Sequence, residues 1–179
     1  MTNDRWLTAV HEAGHAVAAV ELGGQCEGLV LNVDGGLAHV TTPCHDREAY
    51  MIAAGPTAQE LAGKNAAPEL QGPEKIGATK ALHPKEDFMF ALSVELAEVP
   101  GSMRTLETDE RRLAVWAIGG HESEPDSWAR RIQFANYVAH KVVSANVEKI
   151  IRVAEQLFIH GHLSGDEVTG ILAATEKEQ

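Results

Sequence analysis

Residues His11-Glu12-Ala13-Gly14-His15 constrain this chain more than any other stretch. On an α-helix, residues four apart share a face, so both imidazoles can address one point while Glu12 lies beside it. Two histidines at that spacing with a glutamate between them form the pattern by which a helix holds a zinc ion next to a general base. The flanking residues supply the helix this requires. Leu7, His11, His15, Ala18 and Leu22 make one stripe, and Trp6, Val10, Ala13 and Val17 recur at helical spacing, which predicts an amphipathic helix over residues 4–22. Histidines on such a stripe can also be hydrogen-bonded core groups; the intervening glutamate favours the metal.

With 179 residues the chain can bury one well-developed core, and residues 1–179 are expected to form a single domain. Lys and Arg number 15 against 26 Asp and Glu, a formal charge of -11, and no basic run is long enough to track phosphates. Nucleic acid is therefore not an expected partner. There is no apolar run of about 18 residues and no basic-then-apolar leader, so direct membrane insertion is not expected and a cytoplasmic location is. Cys26 and Cys44 match neither a zinc ribbon nor a disulfide framework and read as free thiols flanking a hairpin.

Gly23-Gly24 ends the first helical pattern, and residues 28–33 and 37–42 read as two strands about Asp34-Gly35-Gly36, a turn that accommodates positive φ. Helical spacing returns over 46–62, where Gly55-Pro56 should bend or interrupt the helix. Breakers crowd residues 64–82. A helix is predicted after Pro84 as far as Val99, another from Thr108 to Gly119-Gly120, and a long stretch from Pro125 to Phe158 that can divide near Ser144. Ser164-Gly165-Asp166-Glu167 matches a capping box opening a last short helix. The expected fold is mainly α, with about six helices and one small β-hairpin.

A catalytic zinc ion commonly takes three protein ligands, and the third is open among Asp87, Glu86, Glu95, His83 and His45. Asp87 is attractive because the first turn of a helix holds a carboxylate firmly. Asp109-Glu110-Arg111-Arg112 reads instead as a solvated helix start, Glu60 as either a carboxylate supporting the site or a solvated helix position, and His121, His140, His160 and His162 as surface residues.

The first helix resembles that of the peptidase domain of FtsH, the ATP-dependent zinc proteases of peptidase family M41. Ala54-Gly55-Pro56-Thr57-Ala58-Gln59-Glu60-Leu61 is similar to that family's Gly-x-x-Ala-Glu-Glu helix, with Gln59 replacing the first Glu. Asp87-Phe88-Met89-Phe90-Ala91 resembles its Asp-Leu-x-x-Ala segment, and Leu163 to Val168 its closing segment, whereas the family's Thr-Gly-Ala-x-Asn-Asp sequence is absent around Asp87. The resemblance implies an FtsH-like zincin fold, Zn²⁺ as cofactor, His11, His15 and Asp87 as ligands, Glu12 as the catalytic base, and a metalloendopeptidase activity with the hairpin beside the cleft.

The sequence contains no Gly-x-x-x-x-Gly-Lys-Ser/Thr phosphate loop. The expected activity is thus ATP-independent hydrolysis of peptides or unfolded protein segments, with a separate unfoldase or a homo-oligomer as the conceivable partners. A non-proteolytic zinc-binding regulatory protein and a zinc hydrolase of small amides are the competing readings.

Overall fold

The computed structural model describes residues 2–65, 109–118 and 125–177. Helix α1 (Thr2–Glu21) is followed by strands β1 (Gln25–Leu31) and β2 (Gly36–Thr41) and helix α2 (His45–Asn65). The later elements are α3 (Asp109–Ile118), α4 (Pro125–Ala145), α5 (Val147–His160), a short strand β3 (His162–Ser164) and α6 (Gly165–Lys177). The described residues are thus mainly helical, as expected, but the sheet has three strands rather than two. Its order is β2-β1-β3, antiparallel throughout. The expected strands also shift: β1 begins three residues early and ends before Val33, which is 96% exposed.

Helix α1 is central rather than amphipathic. Residues 12–19 are all buried, because α2, α5 and the sheet surround them. Their small size permits this. A Cβ on Gly14 would lie 2.7 Å from the Ala58 Cβ and 2.9 Å from the Ala54 carbonyl oxygen, so α1 and α2 touch almost backbone to backbone. Pro56 does not interrupt α2, which runs unbroken to Asn65; it leaves only the Ile52 carbonyl without its usual helical amide.

The core continues from Val10 and Val17 on α1 through Leu29 on β1 to Val143, Val153, Leu157 and Val168 on the C-terminal helices. The long helical stretch divides at Asn146. Gly161 ends α5 at φ 74°, and its carbonyl accepts from the Leu31 amide at 2.7 Å, steering the chain into β3 against β1. The predicted capping box forms: the Ser164 amide donates to the Glu167 carboxylate at 2.7 Å, and the Glu167 amide to the Ser164 hydroxyl at 3.3 Å. No described helix is long and apolar enough to cross a membrane.

Candidate metal centre

His11 and His15 project from α1 toward α2, and their Nε2 atoms stand 3.1 Å apart. The third group at this point is Asp109, in the first turn of α3, whose Oδ2 lies 2.8 Å from His11 Nε2 and 2.9 Å from His15 Nε2. The side chains are 22%, 7% and 15% exposed for His11, His15 and Asp109. Among the described residues this is the one grouping of three metal-ligating side chains.

Asp109 departs from its reading as a solvated helix start. The reason lies in the helix itself: Asp109, Leu113, Trp116 and Ala117 follow one another at intervals of four, three and one, and the latter three are buried. The carboxylate therefore belongs to the inward face of α3. Arg112, one turn on, has Nη1 3.8 Å from the other oxygen, Oδ1, and Nη2 3.6 Å from Glu48 on α2. Oδ2 is left to face the histidines. Asp87, Glu86, Glu95 and His83 lie outside the described residues, as does His121. His45 is far from the cluster in character, 70% exposed and paired with Glu48 at 3.3 Å. His140, His160, His162 and Glu60 are exposed.

The outer nitrogens of both rings are engaged by α2. His15 Nδ1–H donates to the Met51 carbonyl at 2.9 Å, and His11 Nδ1 meets Gln59 Oε1 at 3.1 Å. Residues 51, 55 and 59 form one stripe of α2, and Gly55 supplies the room between the two bonds. A Cβ there would come within 2.4 Å of His15 Nε2. The fit of Gly36 to Glu12 is similar, since a Cβ at Gly36 would lie 2.4 Å from Glu12 Cγ. Glu12 is 7% exposed and accepts a hydrogen bond from the Ala38 amide of β2.

With both protons held on Nδ1, two imidazole lone pairs and a carboxylate oxygen point at one another. In that tautomer the set favours a cation. In the metal-free protein a proton serves: burial alone would depress the His11 pKa, but the hydrogen bond and charge of Asp109, then Glu12 and Gln59, hold it above 6.5. Burial works against ionised Asp109 too, yet its bonds to His11 and then His15 keep the carboxyl far below the usual carboxylate range. Glu12 is shifted upward from 4.5, chiefly by burial, against the opposing charges of His15 and His11.

The donor set fits zinc. Ligands at tetrahedral zinc stand roughly 3.3 Å apart, and two neutral imidazoles with one carboxylate are ligands this ion commonly takes. The observed edges of 2.8, 2.9 and 3.1 Å are a few tenths of an ångström shorter. Each imidazole also has a partner for its remaining N–H, an arrangement typical of histidines that bind metal.

Compared with models of known protein families, residues 5–67 match the family described as Peptidase M50B-like. The matched stretch contains both histidines, Glu12, Gly55 and Gln59 and ends before Asp109. None of the curated proteins compared gave a match. The family match supports a zinc metallopeptidase, without singling out the FtsH family that the motifs resemble.

Proposed function

We propose that this chain is a zinc-dependent metallopeptidase that cleaves peptides or unfolded protein segments. The observation that carries the reading is the meeting of His11 Nε2, His15 Nε2 and Asp109 Oδ2 within 3.1 Å of one another, with Glu12 on the same helix. Two histidines and an aspartate are also the donor set implied by the resemblance to the FtsH peptidase domain, with Asp109 in the role given there to Asp87.

His11, His15 and Asp109 would hold the ion. When bound, zinc supplies a Lewis acid that polarises a carbonyl and brings the ionisation of water toward neutral pH. Glu12 accepts the proton from the attacking water and delivers it to the leaving amine nitrogen. Its burial suits that role, because a desolvated carboxylate is a stronger base than an exposed one. Among the described residues β2 pairs only with β1, and the Ala38 bond to Glu12 sets its other edge beside the site, so an extended substrate can add there through the remaining main-chain groups.

Binding of that kind selects an extended backbone more than any side chain, which favours flexible segments over folded surfaces. Residues 1–179 contain no phosphate-binding loop, and the hydrolytic step proposed at this site does not itself consume ATP. A folded substrate would require a separate unfoldase, and self-association is the other arrangement the chain could use.

The test is release of peptides from a permanently unfolded protein by the purified chain. Cleavage should stop on addition of a zinc chelator and return with zinc. Chelator-insensitive cleavage, or a zinc-loaded protein that cleaves nothing, would return the site to a binding or regulatory role.

A further inference from the structure

We infer that Gln59 is the positioning residue that makes His11 a metal ligand, by holding the imidazole proton on Nδ1 without adding charge. This rests on the zinc reading above. His15 needs no such device: its Nδ1 faces the Met51 carbonyl, which can only accept, so its Nε2 keeps a lone pair. The partner of His11 is a side-chain amide instead, with Oε1 3.1 Å from Nδ1.

An amide can present either end. Its oxygen draws the proton to Nδ1 and frees Nε2 for a metal, whereas its nitrogen would favour the opposite tautomer and place an N–H among the donor atoms. The orientation of Gln59 therefore decides whether the His11 corner of the site donates electrons or a proton. Its position is set by α2, where Met51 and Gly55 engage His15 on the same stripe and Gln59 lies one turn beyond.

The choice of amide over carboxylate matters as well. A carboxylate would make the same bond while strengthening His11 as a donor and offsetting part of the ion's charge. Gln59 keeps the bond and would leave a bound ion more electrophilic.

Cobalt(II) is the probe, bound to the full chain and followed by its visible absorption, with zinc affinity read by competition against a chromogenic chelator. Gln59→Leu should weaken both metals by roughly 10–100-fold and alter the cobalt spectrum. Gln59→Glu should restore the spectrum and bind at least as tightly as the natural chain. Far-UV circular dichroism checks folding, and Gln59→Ala replaces the leucine variant if that does not fold. Natural affinity and spectrum in the variants lacking the amide, or a glutamate variant as impaired as they are, would overturn the inference. Cobalt binding unchanged by His15→Ala would instead overturn the zinc reading beneath it.

Discussion

Two clusters of charged side chains lie where helices meet, and they balance their charge in opposite ways. In the first, His11, His15 and Asp109 bring their ligand atoms within 3.1 Å of one another, and under the proposed function the balancing cation is a metal from outside. In the second, Lys149 on α5 places its ammonium 2.8 Å from Glu21 at the end of α1 and 2.7 Å from Glu176 on α6. Lys149 is nearly as secluded as His15, its side chain 11% exposed, and the hydrogen bond it donates to Glu176, then that to Glu21, raises its pKa. Both clusters join segments distant in sequence. The lysine cluster carries its own cation and so acts as a clamp, whereas under the proposed function the histidine cluster is a receptor.

The strongest way to break this comparison is Glu12→Gln. It should retain zinc and lose roughly 10²–10⁴-fold in peptide hydrolysis, the share a positioned general base supplies. Lys149→Met should hydrolyse as the natural chain does. Full activity in the Glu12 variant would remove the receptor's catalytic meaning.

Zinc itself separates the clusters next. At a free concentration a hundredfold above Kd it should stabilise the natural protein by about 2.7 kcal/mol, measured by denaturant unfolding with and without chelator. His15→Ala should lose that increment and Lys149→Met should keep it. Gly55→Ala sharpens the point, because its methyl must displace the His15 ring. We expect loss of zinc affinity together with about 1–3 kcal/mol of stability, the usual range for overpacking. Lys149→Met should cost about 1–2 kcal/mol, less than a fully buried pair because Glu21 and Glu176 reach solvent. The loss should be equal in zinc and in chelator.

The smallest effect is on pH. The folded pKa of His11 lies above 6.5, so in chelator its stabilisation is complete below that value and is lost as pH rises through the folded pKa. Asp109 lies below 3.8 and contributes above that value, losing its effect as pH falls through the folded pKa. The metal-free melting temperature should therefore decline from mildly acid to alkaline pH, by a few degrees at most. Zinc affinity should run the other way, rising with pH as the competing proton leaves His11. Parallel trends in zinc and in chelator would break the opposition between proton and metal.

What could be read from the sequence follows the range of each interaction. His11, Glu12 and His15 lie within one turn of helix, so their spacing alone carries them. The hairpin and the Ser164 capping box are similarly local. Asp109 was within reach by its alignment with Leu113, Trp116 and Ala117, an acid on an apolar stripe, but its helix-opening position suggested solvent. The Met51 carbonyl has no sequence identity to detect. Strand β3 is three residues long and exists through pairing with β1, which no turn signal announces. The burial of α1 on every side follows from contacts that arrive later in the chain.

The separation of Asp109 from the histidines also orders the assembly of the site in time. His11, His15, Met51, Gly55 and Gln59, on α1 and α2, fall within residues 11–59, whereas Asp109 must return across 94 residues to reach His15. Loop-closure entropy makes the nearer contacts form first. Under the proposed function the α1–α2 pair can therefore bind metal loosely before α3 arrives, and docking of α3 adds the third protein ligand. Hydrogen exchange should then find zinc-dependent protection greatest in α3.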